Sequence, residues 1–255
     1  ALRIHEQALG PGHPQLAFTL STLGLVHWRS GDLAGARALF ERALKIREQT
    51  LPPTNRWLAV SLGNLGEILR DTGDYTAARP LFERALKIRE SALGLNHPDY
   101  AAGLTSLGHL LYLMGDMAAA RPLLEQALQI RERALGPDHP TVATTVNDLG
   151  SVLWRSGEYA RARAHFERAL RIREKALGPT HTSVAQSLTN LGVLLRDAGD
   201  YAAARPLLER GLKIYEQAVG PDHHWTAWAA NHLAYLLHRT GDLAGSRQLY
   251  ERALR

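Results

Sequence analysis

The pattern of apolar and polar positions along this 255-residue chain recurs every 42 residues. A Leu-Gly pair, which becomes Leu-Ala in the last copy, marks the register of six copies that follow one another without an insertion. The pairs are Leu23-Gly24, Leu65-Gly66, Leu107-Gly108, Leu149-Gly150, Leu191-Gly192 and Leu233-Ala234. A fixed period in the range of about 20–50 residues indicates a repeat architecture, in which neighbouring copies bury one another's apolar faces.

Each copy contains two helical patterns. In the fourth copy Val142, Val146 and Leu149 recur at three- and four-residue spacing, which places them on one face of a helix. Gly157-Glu158 then interrupts the pattern, since glycine can end a helix in the left-handed conformation and an acidic side chain can cap the next helix. The predicted first helices cover residues 14–30, 57–72, 98–114, 140–156, 182–198 and 224–240. The predicted second helices cover residues 33–50, 75–92, 117–134, 159–176, 201–218 and 243–255.

The glycine of each Leu-Gly pair lies in the middle of a predicted first helix. Glycine inside a helix costs about 1 kcal/mol relative to alanine, so its recurrence needs a packing reason. We expect the second helix of the same copy to lie directly against it.

Composition and charge narrow the class of protein. The net charge of +5 is spread along the chain, and this argues against a nucleic-acid partner. The absence of cysteine excludes disulfides and thiolate metal sites and fits a cytoplasmic location. No apolar run approaches the roughly 18 residues that span a bilayer, so we expect no membrane partner.

The residues with potential chemistry all recur with the repeat. Five of the twelve histidines, namely His13, His97, His139, His181 and His223, occupy one linker position. Stacked copies would separate them by roughly 20 Å, if each helix is about 10 Å across, so they are interpreted as linker caps. His232 and His238 are six residues apart and face different ways, which argues against zinc. A glutamate follows an arginine by four residues in every second helix and is interpreted as an ion pair. We therefore predict no metal, no cofactor and no catalytic site.

The motifs of each copy resemble those of the tetratricopeptide repeat. In order they are Leu-Gly, Gly-Asp-Tyr, Ala-Arg and Phe-Glu-Arg-Ala-Leu. The 42-residue period and the linker Leu-Gly-Pro-Asp-His-Pro are similar to the longer variety found in kinesin light chains and in bacterial sensor and scaffold proteins. The second linker departs from this form at Leu51-Pro52-Pro53, and Gly211 and Ala234 depart at small-residue positions.

The resemblance implies an all-α fold, a right-handed superhelical solenoid of antiparallel helix pairs. It implies a single array over residues 1–255, in which residues 1–9 end a preceding repeat. The six repeats lie near 10–51, 52–93, 94–135, 136–177, 178–219 and 220–255. Both ends fall within a second helix, because Ala1-Leu2-Arg3 is identical to Ala253-Leu254-Arg255. We expect a fragment of a longer array whose copies can associate end to end.

In the family, first helices line a concave groove that usually holds a peptide or another protein. Transferred to this chain, the candidate groove residues are Trp28, Arg29, Asn64, Arg70, His109, Tyr112, Asn147, Trp154, Arg155, Asn190, Arg196, Trp228, Asn231, His232, Tyr235 and Arg239. Tryptophan, tyrosine and arginine dominate interface energetics, arginine pairs with carboxylates, and asparagine can bond a peptide backbone.

The composition of these positions predicts a scaffold that binds an acidic, partly extended polypeptide without a chemical step. An alternative is the sensor or self-association segment of a larger bacterial signalling protein, whose groove contacts its own domains. For individual residues there is also a structural alternative. Trp28 and Trp154 could pack between repeats, and Asp71 and Asp197 could neutralise Arg70 and Arg196.

Overall fold

Consecutive helix pairs make up the computed structural model, which describes residues 2–253 and the side chains of residues 5–253. All regular structure between residues 2 and 253 is helical, so the predicted all-α class is confirmed. The helices form two compact units, Ala1–Ile130 and Arg131–Arg255.

The helices begin and end close to the positions that the sequence predicts. After α1 (Leu2–Leu9), the first helices of the copies are α2 (Pro14–Arg29), α4 (Arg56–Asp71), α6 (Pro98–Leu113), α8 (Pro140–Arg155), α10 (Thr182–Asp197) and α12 (His224–Arg239). The second helices are α3 (Leu33–Thr50), α5 (Tyr75–Leu93), α7 (Met117–Leu135), α9 (Tyr159–Leu177), α11 (Tyr201–Val219) and α13 (Leu243–Ala253). The predicted bounds of α2 to α12 are correct to within one residue.

The two helices of a copy are antiparallel. Near the start of α2, Leu16 and Leu20 share a buried cluster with Ala43 and Ile46 from the later part of α3. Further along α2, Gly24 meets Phe40, which comes earlier in α3. One helix therefore runs back along the other.

Each unit extends this pairing by stacking. In the first unit α3 packs on α4 and α5 on α6, and the first helices α2, α4 and α6 also touch in sequence. In the second unit α9 packs on α10 and α11 on α12, while α8, α10 and α12 touch in sequence. The first helices thus form a continuous face in each unit, which we call the first-helix face.

The glycines in the first helices allow close packing of the pair. A Cβ atom added at Gly150 would lie 2.8 Å from Cε1 of Phe166, and one at Gly24 would lie 2.6 Å from Cε1 of Phe40. Real Cβ contacts are not this short, so the predicted packing role is confirmed.

The turn between the helices of a copy uses glycine and an acidic cap. Gly31 has a φ of 84°, and Asp32 Oδ1 accepts a hydrogen bond from the Gly35 amide at 2.8 Å. The predicted aspartate cap is confirmed there, whereas Glu158, which takes the place of the aspartate in the fourth copy, makes no side-chain cap bond. Glu158 instead accepts from Arg161 Nη1 at 2.6 Å. Its extra methylene carries the carboxylate away from the amides that an aspartate reaches, in line with the preference for short caps.

The linker histidines cap the first helices, as predicted. Nδ1 of His181 accepts a hydrogen bond from the Ser183 amide at 3.1 Å, and the other four linker histidines make the same bond at 3.0–3.3 Å. In the second linker, whose sequence differs from that of the others, Asn55 Oδ1 accepts a hydrogen bond from the Trp57 amide at 2.9 Å. The different sequence of the second linker therefore preserves the cap of the first helix.

Two further observations concern the chain as a whole. Within the described residues, no helix is both long and apolar enough to cross a lipid bilayer. The terminal triplets behind the expected end-to-end association lie partly outside the described residues, because Ala1, Leu254 and Arg255 are not described. Self-association stays a prediction.

Candidate ligand-binding face

The predicted groove residues differ widely in exposure. Arg29, Arg155, Asn231, Tyr235 and Arg239 are exposed. Trp28, Asn64, Arg70, His109, Tyr112, Trp154, Asn190, Arg196, Trp228 and His232 are half-buried, and Asn147 is buried. Only part of the predicted set is therefore open to a ligand.

In the first unit, a polar network links α2, α4 and α6. Trp28 Nε1 donates to Asp71 Oδ2 at 2.9 Å, and Ser106 Oγ donates to Glu67 Oε1 at 2.7 Å. Between these contacts, the guanidinium of Arg70 pairs with both Glu67 and Asp71. The network joins three successive first helices.

These contacts favour the structural alternative for two predicted groove residues. The two carboxylates already neutralise Arg70, and Trp28 directs its N–H group to the next repeat. Trp28 and Arg70 therefore help to hold the first helices at a fixed distance from one another. A ligand carboxylate would have to compete with Glu67 and Asp71 for Arg70.

In the second unit, Asn147 and Asn190 form a similar link. Asn190 Nδ2 donates to Asn147 Oδ1 at 3.0 Å, and the Asn147 residue is only 4% exposed. The expectation that Asn147 bonds a peptide backbone is therefore wrong. The side chain of Asn147 is enclosed between α8 and α10, where its carbonyl oxygen accepts the hydrogen bond from Asn190.

A compact group of side chains surrounds Arg196. Its guanidinium pairs with Asp197 at 2.7 Å, lies 3.3 Å from His232 Nδ1, and lies 4.6 Å from the centre of the Tyr235 ring. The ring of Trp228 meets His232 edge-on, with centroids 5.0 Å apart. Arg196, from the preceding repeat, thus links His232 and Tyr235, and His232 in turn contacts Trp228.

This environment keeps His232 neutral. Burial, and secondly the charge of Arg196, lowers the pKa of His232 to about 4, while Asp197 acts in the opposite direction. A neutral imidazole can accept a hydrogen bond from Arg196. Within the described residues, His232 belongs to no group of three side chains suited to holding a metal ion.

Arginines at one repeat position remain at the surface of the first-helix faces. Arg29, Arg155 and Arg239 share this position, and all three are exposed. Arg239 Nη1 donates to the Tyr235 hydroxyl at 3.4 Å, and its guanidinium carbon lies 5.9 Å from the Tyr201 ring. The hydrogen bond to Tyr235 and the tyrosine charges raise the pKa of Arg239, so it stays a cation.

The comparisons with known proteins agree with this geometry. The model of the tetratricopeptide repeat family matches residues 1–49, 57–131, 101–175, 141–217 and 183–255. The chain belongs to the tetratricopeptide repeat family. It is a helical repeat scaffold of the type that the motifs indicate. No curated protein matches it significantly.

Several solved structures share the tetratricopeptide fold of this chain. BtubC (BKLC) from P. vanneervenii is 25% identical, with 88% of each chain covered and a TM-score of 0.68. A Podospora anserina protein named for kinesin light chains, with nearly identical repeats, is 24% identical, with 80% of this chain and 97% of that chain covered and a TM-score of 0.67. A Rap protein complexed with Competence and Sporulation Factor is 14% identical, with 93% of this chain and 74% of that chain covered and a TM-score of 0.68.

The tetratricopeptide array also contains a row of buried arginines that the sequence reasoning missed. Arg47, Arg131 and Arg173 are each at most 9% exposed. From a second helix, each donates through Nη1 to a backbone carbonyl and a hydroxyl of the next first helix. The pairs of acceptors are Trp57 and Ser61, Thr141 and Thr145, and Ser183 and Ser187. The signal was present in the sequence as an arginine followed by a hydroxyl residue at a spacing of 14.

Three clefts lie at equivalent positions of the array, where a second helix ends between two first helices. The Arg47 cleft, of about 270 Å³, is lined by Pro14, Phe18, Arg47, Thr50, Leu51 and Trp57. The Arg89 cleft, of about 330 Å³, is lined by Arg56, Trp57, Val60, Arg89, Leu93, Asp99 and Ala102. The Tyr215 cleft, of about 290 Å³, is lined by Thr182, Ser183, Gln186, Tyr215, Val219, His223 and Trp225.

Proposed function

We propose that the first-helix faces of this scaffold bind an acidic, partly extended polypeptide, with no chemical step. Among the predicted groove residues, the binding residues in this proposal are above all Arg29, Arg155 and Arg239. The neighbouring Trp154 and Tyr235 supply apolar contact area. The absence of cysteine fits a cytoplasmic site of action.

The observation that carries the proposal is the placement of the arginines on two different sets of helices. On the second helices, Arg163 pairs with Glu167 at 2.8 Å and Arg205 with Glu209 at 2.7 Å, and the equivalent pairs recur in the other copies. A carboxylate of the same helix thus balances each of these arginines. Arg29, Arg155 and Arg239 lie exposed on the first-helix faces, and Arg239 donates to the hydroxyl of Tyr235. Exposed cations beside aromatic rings favour a ligand with carboxylates and apolar groups.

An extended ligand is favoured by the repetition of this chemistry. The Trp-Arg-Ser-Gly sequence at Trp28 recurs at Trp154, three repeats further along the chain. Each unit therefore presents this sequence on its own first-helix face, which suits an elongated ligand that repeats its acidic and apolar groups.

The proposal can be tested with a pair of matched peptides. The first is a labelled, glutamate-rich peptide that contains a few leucines, and the second has glutamine at every glutamate position. Fluorescence anisotropy should show at least about tenfold tighter binding of the glutamate peptide, because charge-assisted hydrogen bonds replace neutral ones. Equal affinity for the two peptides would contradict an acidic ligand. Absence of binding to both would favour contact with other domains of the same protein.

A further inference from the structure

The Arg47 and Tyr215 clefts contain a tryptophan at the same repeat position but differ in the polar group beneath it, and Trp57 also lines the Arg89 cleft. Trp57 in the Arg47 cleft and Trp225 in the Tyr215 cleft lie four repeats apart at the same repeat position. Arg47 and Tyr215 are likewise equivalent to each other. The array has therefore placed a cation and a phenol at the same repeat position, each beside a tryptophan, while Gln186 takes the place of Phe18 in the Tyr215 cleft.

The guanidinium of Arg47 is fixed at one end and open to the cleft at the other. Its bonds to described residues run through Nη1, to the Trp57 carbonyl at 3.3 Å and to Ser61 Oγ. A guanidinium carries five N–H groups. Every fully buried polar side-chain atom of the described residues has a partner. The N–H groups that Arg47 does not use for this anchor are therefore accessible from the cleft that it lines.

The rest of the Arg47 cleft is apolar. Phe18 is 66% exposed and Trp57 is 43% exposed, and both line it together with Pro14 and Leu51. None of its lining residues is acidic, whereas Asp99 lines the Arg89 cleft at the position of Trp57. The charges of Asp99 and Glu67 also act on Arg89. Since a buried cation without a facing carboxylate is costly, an anion that enters the Arg47 cleft restores the missing partner.

We propose that the Arg47 cleft is a specificity pocket for a carboxylate on an apolar stem, carried by the polypeptide that the first-helix faces bind. This inference rests on the proposed function for the source of the carboxylate. In the pocket the carboxylate accepts hydrogen bonds from Arg47, and the stem packs between Phe18 and Trp57.

The Tyr215 cleft provides the contrasting case. Tyr215 is 2% exposed, and its ring stacks on that of Trp225 with centroids 6.3 Å apart and 12° between planes. Burial raises the pKa of Tyr215 to about 12, so this cleft holds a neutral phenol. Ala229 stands at the position where Ser61, Thr145 and Ser187 anchor their arginines. The Tyr215 cleft therefore has no cation beneath its tryptophan and does not select for an anion.

The pocket can be tested on the full chain with small probes. The probes are 3-phenylpropionate, which carries a carboxylate on an apolar stem, and 3-phenylpropanol, its neutral counterpart. The readout is the ¹⁵N-indole signal of Trp57, assigned with a Trp57→Phe variant. We expect a saturable shift with phenylpropionate and at least about tenfold weaker binding of phenylpropanol. Equal binding of the two probes would overturn the proposal.

Variants separate a pocket role from a structural role of the arginine. Arg47→Met should weaken phenylpropionate binding at Trp57 by at least about tenfold. Arg173→Met, which removes an equivalent anchor in the other unit, should leave that binding unchanged. If Arg47→Met does not fold, the triple variant Gln186→Phe/Tyr215→Arg/Ala229→Ser gives an independent test. It recreates the arginine, its hydroxyl anchor and the phenylalanine that packs on the stem, and Trp225 should then respond to phenylpropionate. No response at Trp225 in this folded variant would contradict the pocket.

The two proposals fail in different ways. If phenylpropionate does not bind at Trp57 but the glutamate-rich peptide binds the chain, the pocket is wrong and the proposed function stands. If phenylpropionate binds at Trp57 and the peptide does not bind, the pocket stands as a carboxylate site and its assignment to a polypeptide is wrong.

Discussion

The indole Nε1 of Trp28 donates a hydrogen bond to Oδ2 of Asp71, 2.9 Å away and one repeat further along the chain. The other carboxylate oxygen of Asp71 accepts from Arg70 at 2.8 Å. One aspartate thus holds together two residues that the sequence suggested as ligand contacts, and both are engaged with their neighbours in the array.

Trp28→Phe should therefore reduce stability more than it reduces ligand binding. The variant keeps an aromatic ring but loses part of the contact area of the indole and one hydrogen bond to a carboxylate. Such a bond is worth about 1.5–3 kcal/mol when the partner is charged and less at a partly exposed site. Chemical denaturation measures this loss. Affinity for the glutamate-rich peptide should fall less than it does in Arg29→Ala, and the opposite order would make Trp28 the principal contact.

Gly150 is a sensitive packing position. Gly150→Leu should destabilise the protein by about 1–3 kcal/mol or more, because its side chain would have to displace Phe166. Glu167→Ala removes a surface pair of the same copy and should cost no more than about 0.5 kcal/mol. Similar denaturation midpoints for the two variants would show that the packing faces are wrongly assigned.

The linker caps can be tested with an exchange of histidine for asparagine, because the second linker has Asn55 at the position of the linker histidines. His181→Ala removes the acceptor of the Ser183 amide and should cost about 0.5–2 kcal/mol. His181→Asn should retain most of the stability, since Asn55 makes the equivalent bond in the second copy. Thermal melts of the two variants provide the comparison. An asparagine variant as unstable as the alanine variant would show that the histidine contributes something other than the cap.

His232 should make stability depend on pH. The pKa of His232 is about 4 in the folded state, whereas in the unfolded chain it takes the ordinary histidine value of 6.5. Between these values the unfolded state binds more protons, so stability is fully present above pH 6.5 and falls as the pH falls towards 4. The total loss is up to about 3 kcal/mol.

His232→Gln serves as the control for this pH dependence, because glutamine can accept from Arg196 but does not titrate. Urea denaturation of both proteins at several pH values between 7 and 5 isolates the contribution of His232 from that of other groups. Parallel curves for the two proteins would mean that His232 is not held in its neutral form.

The fold could be predicted from sequence because each copy repeats the same turn, cap and packing residues. Gly31, Asp32 and Gly24 have equivalents in most copies, and each acts through a neighbour in its own copy. The helix boundaries of a single copy would be ambiguous, but the same pattern in six aligned copies defines them. The exception at Glu158 depends on a single methylene, which a pattern of acidic residues does not register.

The candidate site was harder to predict because it depends on contacts between copies. Asn147 could contact either a ligand or Asn190. The separation of α8 and α10 decides between the two, and it brings Asn190 within hydrogen-bonding distance. The balance of Arg70 by Glu67 and Asp71 likewise needs the side-chain positions. The burial of Arg47 also depends on the next repeat, where the hydroxyl of Ser61, 14 residues later, is its anchor.

The most direct test of the central claim compares two double variants that remove the same charge. Arg155→Ala/Arg239→Ala changes the exposed first-helix arginines of the second unit, and Arg163→Ala/Arg205→Ala changes two arginines balanced on second helices. The dissociation constant of the glutamate-rich peptide is measured for both by fluorescence anisotropy, at low and at physiological salt. We predict that the first variant weakens binding at least about tenfold and lowers its salt dependence, while the second stays within about twofold of the unchanged protein. Equal weakening by the two variants would reduce the effect to net charge and contradict binding at the first-helix faces.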